Sequence, residues 1–250
     1  MAGDLTSALN FRNPNAKVVA LPNTAAWLPL NQTRYPSYVP PVPADQSMPA
    51  QEPGTRPARP IPYDLNASGT ANFADGTFTI EFANEGKTAV LQIRSGNSSL
   101  GPWTYTVGAG EHVSDTWKIA GNNLTGYDLS VYGPNGFLRA FRGSISGANA
   151  ANLDIRAAYD KDANTITLIG TNRGSQTVTL QLKNAYTGEA VSGELAPGAS
   201  SQKILALENT WGWYDFIVEV EQDPTFRNQL AGHIENGEES RTDPAIVAQV

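Results

Sequence analysis

From Tyr63 onward the chain alternates apolar and polar residues in short runs of period two, the signature of half-buried β-strands. The clearest run is 126–145. Tyr127, Leu129 and Val131 alternate with Asp128, Ser130 and Tyr132. Gly133-Pro-Asn-Gly136 then makes a turn, because Pro presets φ and Asn and Gly tolerate positive φ. Phe137 to Ile145 returns as a second strand, so the stretch reads as a β-hairpin.

The same reading predicts strands at 63–67, 77–84, 88–94, 103–107 and 112–119 before the hairpin. After Asn152 it predicts strands at 153–159, 164–171, 177–183, 190–195, 201–206, 212–220 and 226–234. Turn signals fall every 8–12 residues, the pattern of a sandwich. The second series repeats the first. Asn84-Glu-Gly86 corresponds to Asn172-Arg-Gly174, Gly110 to Gly198, Tyr127-Asp128 to Tyr214-Asp215, and Gly143-Ser-Ile145 to Gly232-His-Ile234. Two copies of one unit at a near-constant offset set the architecture. The fold class expected is all-β: two tandem immunoglobulin-like antiparallel β-sandwich domains, at 63–147 and 148–236, preceded by an extended proline-rich segment.

Outside the repeats the pattern fades. Residues 1–34 carry little periodicity beyond a short helical turn near Asp4 or Thr6. Residues 35–62 hold nine of the 17 prolines. Pro removes a backbone donor and biases its predecessor to extended geometry, so this is a semi-rigid, polyproline-II-like connector. It is read as a linker laid over a neighbouring domain rather than as a ligand for a partner groove. The tail, 237–250, is polar and acidic and is expected to fray.

Composition narrows the partners. The 250 residues carry a net charge of −7. The net is +2 over 1–60, −2 over 61–146 and −7 over 147–250. An acidic second half argues against nucleic acid, which needs clustered Lys and Arg, and against simple adsorption to anionic lipid. No apolar run reaches the roughly 18 residues of a bilayer span. The N-terminus has no basic segment followed by an apolar one, so no signal peptide is expected in the chain. With no cysteine, disulfides and thiolate metal sites are excluded.

Catalytic motifs are scarce. The two histidines, His112 and His233, fall in different repeats and read as incidental strand or loop residues. Asp160-Lys-Asp-Ala-Asn164 begins like a calcium loop but has Thr165 and Thr171 where Gly and Glu belong. A hairpin turn is favoured there over a surface cation site. No Gly-x-Ser-x-Gly elbow occurs. No catalytic residue, cofactor site or metal site is expected. Tyr127 and Tyr214 each open a penultimate strand, where the hydroxyl can anchor a corner on nearby backbone. Arg139 and Arg142 lie three apart on a strand and therefore point to opposite faces. One could meet a lipid phosphate or a carboxylate of another domain, and an internal pair with Asp128 is an equal alternative. Trp103 shares a strand face with Tyr105, and Trp211 with Trp213. Core or interdomain packing is favoured for them over insertion at a membrane interface. Trp103, Tyr105, Arg139, Arg142, Trp211 and Trp213 are thus the candidate contacts to lipid or partner.

The hairpin and connector also carry a family resemblance. The residues are Gln51-Glu-Pro-Gly-Thr-Arg-Pro-Ala-Arg-Pro-Ile-Pro-Tyr63, the turn Asn84-Glu-Gly86, Tyr127-Asp-Leu-Ser-Val-Tyr-Gly-Pro-Asn-Gly-Phe-Leu-Arg139 and Phe141-Arg-Gly143. On these the chain resembles the C-terminal region of bacterial secreted phospholipases C, the acid-phosphatase-like phosphoesterases that cleave phosphatidylcholine and sphingomyelin. In that family a small β-domain occurs twice after the catalytic domain. The second repeat departs from the motif, with Glu221-Gln-Asp-Pro224 in place of Gly-Pro-Asn-Gly. Gly3-Asp-Leu-Thr-Ser-Ala-Leu-Asn-Phe11 looks like the end of the catalytic domain, making 1–34 its remnant. None of the family's catalytic motifs matches a position here. The resemblance therefore implies a non-catalytic module of a secreted or periplasmic enzyme. Its partners would be an upstream phosphoesterase domain and a phospholipid surface. The other readings are a chain that is itself the phosphodiesterase, and an adhesin or carbohydrate-binding module.

Overall fold

A computed structural model describes residue 42 and residues 44–46, 54–97 and 99–246. Most of the connector and the helical turn expected near the N-terminus lie outside the described residues. The first repeat is built from β2 (Leu65–Asn72), β3 (Thr77–Asn84), β4 (Ala89–Ser95), β5 (Trp103–Val107), β6 (Glu111–Lys118), β7 (Gly126–Tyr132) and β8 (Leu138–Ser144). The second comprises β9 (Leu153–Asp160), β10 (Thr165–Asn172), β11 (Val178–Asn184), β12 (Ala190–Leu195), β13 (Ser200–Ala206), β14 (Trp213–Val220) and β15 (Asp223–His233). Two short strands, β1 (Pro57–Ala58) and β16 (Ser240–Arg241), pair with each other.

Each repeat is a sandwich of three strands on four, the immunoglobulin-like division. The repeats are more than neighbours, because both sheets run through both of them. One sheet has the order β13-β10-β9-β2-β3-β6 and the other β12-β11-β14-β15-β8-β7-β4-β5. The junctions pair equivalent strands, β2 with β9 at Gly69↔Ile155 and β8 with β15 from Leu138↔Ala231 to Arg142↔Arg227. Both junctions are antiparallel. Equivalent strands meeting antiparallel define a pseudo-two-fold axis, the arrangement of an isologous dimer formed within one chain. The pairing also removes four sheet edges that would otherwise be open to other chains.

Alternation carries the core. Along β3 the inward residues Phe78, Ile80 and Phe82 are buried while the outward Thr79 bonds Thr116 of β6 at 2.9 Å. Each repeat holds its own apolar cluster. The repeated asparagines lock each cluster at the same place. The Asn84 amide donates to the carbonyls of Lys87 and Val107 at 2.7 and 2.9 Å and accepts from the Gly86 N–H. Asn172 does the same with Gln176, Leu195 and Gly174. Both side chains are fully buried, and each satisfies backbone groups that a loop would otherwise strand without partners.

The tail does not fray over its described part. β16 pairs with β1, the Trp213 indole N–H donates to the Arg241 carbonyl at 2.8 Å, and the Tyr186 hydroxyl donates to Asp243 at 3.0 Å. Polar composition suggested a free end. The tail's polar groups instead find partners on the second sandwich and on the connector.

Candidate functional site

Two places gather polar side chains in numbers that demand explanation. The first lies on the seam between repeats. Arg139 stands on the inward face of β8 with Phe137 and Phe141, and its side chain is fully buried. One Nη donates to the carbonyls of Leu138 and Ala231 at 2.8 and 3.1 Å. The other meets the hydroxyls of Tyr159 and Tyr214, the latter at 2.9 Å. The two hydroxyls lie 3.0 Å apart, and Tyr159 also donates to the Leu65 carbonyl. The guanidinium sits over the Phe137 and Tyr214 rings, 4.5 and 5.4 Å from their centroids. Burial pushes the Tyr159 hydroxyl well above its ordinary range. The seam therefore holds a cation solvated by neutral phenols, carbonyls and ring faces, with no carboxylate of the described residues bonded to it. Its work is to bind β8 of one repeat to β9, β14 and β15 of the other.

The second place is a cleft of about 700 Å³ between the second sandwich, the connector and the tail, lined in part by Arg56, Trp211, His233, Ser240 and Arg241. Trp211 and Gly212 both adopt positive φ, 54° and 87°, and reverse the chain into β14. Their turn aims the Trp211 carbonyl at His233. The His233 Nε2 lies 2.8 Å from Ser240 Oγ and 2.9 Å from that carbonyl, and Nδ1 lies 3.0 Å from Glu235.

Serine, histidine and carboxylate in this order are the parts of a nucleophilic triad. The hydrogen-bond count assigns them otherwise. Ser240 has one proton, and its Oγ stands 2.8 Å from the Trp211 carbonyl. With that proton given to the carbonyl, which Nε2 also approaches, the serine is committed to backbone rather than to the ring. In that state Nε2 cannot take the serine proton. Glu235 completes a clamp, accepting from the Asn135 side chain at 2.8 Å and from the Ile61 N–H at 3.2 Å. One carboxylate thus gathers the first-repeat hairpin turn, the end of the connector and the second repeat.

The residues singled out from sequence are dispersed by the fold. Arg139 is sealed in the seam and cannot reach a lipid phosphate or an outside carboxylate. It does not meet Asp128 either, because Val131 is its partner on β7. Arg142 is exposed and sits opposite both Asp128 and Arg227. Trp103 and Tyr105 do share an inward face, half-buried. Trp103 packs edge-on against Trp117 at 5.5 Å, and Tyr105 stacks on Phe82 and donates to Asp115. Trp211 and Trp213 do not share a face. The positive-φ turn puts Trp211 outside, beneath Arg241 at 5.4 Å, and Trp213 inside, against His233 at 4.7 Å.

The corner tyrosines also differ from expectation. The Tyr214 hydroxyl bonds Arg139 and Tyr159 rather than backbone, and Tyr127 acts through its ring, stacked on Phe78 at 4.0 Å. Gly143 and Gly232 are needed against these rings, since an added Cβ would come within 2.5 and 2.8 Å of the tyrosine oxygens. The stretch 160–164 is a hairpin turn, with Asp160 accepting from the Ala163 N–H and Asn164 at φ 49°.

The sequence reading missed the clamp. Its signal was present, because His233 and Glu235 are two apart and so project to one side.

Comparison with known proteins agrees with this architecture. The family described as bacterial phospholipase C, C-terminal domain, matches twice, over 57–144 and 153–233. The non-hemolytic phospholipase C of Burkholderia pseudomallei is 43% identical over 98% of this chain. The non-hemolytic and hemolytic phospholipases C of Pseudomonas aeruginosa are 35% and 29% identical, again over 98% of the chain. The chain spans only 36–38% of the length of these relatives. With both sandwich repeats matched, the chain belongs to the bacterial phospholipase C C-terminal domain family.

Proposed function

We propose that this chain serves as a non-catalytic C-terminal module of a larger, exported phospholipase C. It would pack against the upstream phosphoesterase domain and help to present that domain to a phospholipid surface. In this reading 1–34 is the end of the catalytic domain and 35–62 the connector. Residues 63–147 and 148–236 are the two sandwiches, and 237–250 is the tail that straps connector to second sandwich. The observation that carries the reading is the paired family match on a chain that aligns along nearly its whole length to only about a third of each relative.

The clamp at Glu235 supports the packing role. It fastens the end of the connector, at Ile61, to both repeats. The test joins the chain to a phosphoesterase domain of a relative. The fusion is expected to hydrolyse phosphatidylcholine vesicles faster than the catalytic domain alone, with equal rates on a soluble phosphocholine ester. Equal rates on both substrates would remove the surface role.

A second reading, that the chain itself hydrolyses esters, has the Ser240–His233–Glu235 geometry against it, because the Trp211 carbonyl takes the serine proton. Turnover of a chromogenic phosphocholine ester by the isolated chain, lost in Ser240→Ala, would establish it.

A further inference from the structure

The pseudo-two-fold axis allows the two sandwiches to be compared position by position, and their free ends differ. In the first repeat the mouth between β5 and β6 is plugged by rings. Trp103, opposite Ile93, packs on Trp117, while Tyr105, opposite Leu91, packs on Phe82 and bonds Asp115. Register gives the counterparts in the second repeat. Val191, opposite Leu182, replaces Trp103, and Gly193, opposite Leu180, replaces Tyr105. Leu205, opposite Ile166, replaces Trp117, and Gly170, opposite Ser201, replaces Phe82. Lys203, opposite Leu168, replaces Asp115.

Four aromatic rings are therefore missing at once. What they leave is a slot of about 260 Å³ between the sheets, walled by Ile155, Leu168, Leu180, Leu182 and Val218. A Cβ on Gly193 would meet nothing within 4 Å. The slot opens at the free edge between β12 and β13, whose residues are almost all exposed. Lys203 and Glu194 stand at its lining.

We propose that this slot binds the alkyl chain of a phospholipid-type amphiphile, with Lys203 at its mouth facing the phosphate. The wall is aliphatic, so the occupant must be apolar where it enters. A slot of this size suits one alkyl chain and not a whole lipid. Exchange of Asp115 for Lys203 places a cation in a lining that also carries Glu194, and the two charges complement the phosphate and the amine of a zwitterionic head. The inference rests on the proposed phospholipid-surface role and gives that role an atomic contact.

The test uses the whole chain and two probes, monomeric dodecylphosphocholine below its micelle concentration and phosphatidylcholine vesicles. Calorimetric titration is expected to show one saturable dodecylphosphocholine site. Gly193→Tyr, which restores the first-repeat ring, should weaken it at least about tenfold, as losing two buried methylenes would. The same variant should keep or raise Tm, because it fills space. Lys203→Ala should weaken binding less, and should abolish its dependence on salt. Absence of saturable binding, or binding that Gly193→Tyr leaves unchanged, overturns the slot. Vesicle binding that survives Gly193→Tyr leaves the surface role standing and the slot refuted. Monomer binding without vesicle binding leaves the slot standing and refutes the surface role. If the variant instead releases an attached phosphoesterase domain and leaves dodecylphosphocholine titrations unchanged, the slot is an interdomain seat and the proposal fails.

Discussion

Arg139 shows how much one residue can depend on its surroundings. A buried guanidinium is costly unless donors find acceptors and the charge is dispersed. Here two carbonyls and two phenols take the Nη donors and two rings face the charge, while Nε has no partner among the described residues. Arg139→Ala should cost about 3–5 kcal/mol, combining a cavity with stranded acceptors, and Arg139→Met distinctly less because it refills the space. Arg142→Ala, three residues away and exposed, should stay within about 0.5 kcal/mol. Urea unfolding of the three variants measures this, and a large effect of Arg142→Ala would contradict the placement. The buried tyrosines set a pH limit. Burial raises the Tyr127, Tyr159 and Tyr186 hydroxyls above their ordinary 10.0, and burial together with Asp115 raises Tyr105. A group held protonated in the folded state contributes stability below its unfolded value and loses it as pH rises through the folded one. Stability should therefore hold to about pH 10 and fall beyond it. Tyr159→Phe should flatten that fall, read from urea midpoints across the alkaline range.

Among the elements, the strands were the most legible part of the sequence. The predicted strands at 77–84, 103–107, 126–132 and 190–195 coincide with β3, β5, β7 and β12, because period two and Gly-rich turns are local signals. The repeat was legible as well, and Asn84 and Asn172 explain why. A buried amide that accepts one N–H and donates to two carbonyls leaves no freedom in the surrounding spacing. What sequence could not supply was the partner of each edge strand. Arg139 alternates in phase with Phe137 and Phe141, yet a charge on that face makes sense only once β15, Tyr159 and Tyr214, all from the other repeat, close over it. The strap formed by the tail was hidden for the same reason. Removing residues 238–250 should expose the Trp213 indole, red-shift its fluorescence and lower Tm by roughly 5 °C, at 2–4 °C per kcal/mol. An unchanged spectrum would mean that β16 contributes nothing to holding Trp213.

On the scale of the molecule, sheets that run through both repeats should make them one folding unit. Calorimetry of the whole chain is expected to show a single transition with equal van't Hoff and calorimetric enthalpies. A fragment ending at residue 147 should aggregate through the bare edges of β2 and β8. Two resolved transitions would show that the seam is weaker than its hydrogen bonds suggest. A single unit also suits the proposed role, since a surface contact at the far end of the second sandwich then shares one rigid frame with the connector.

The seam carries a mark of descent. The axis passes between Ala140 and Gln229, with Arg139 and Asn228 as counterparts on either side. In a pair of identical chains both positions would be arginine, set diagonally about 7–8 Å apart in a space too dry for two like charges. Duplication within one polypeptide releases that constraint, because each copy can mutate alone. One half could then acquire a buried cation while the other kept Asn228. By the same freedom, one half carries a plug of rings where the other has none. Fusion of the copies into one chain let two identical halves divide their labour.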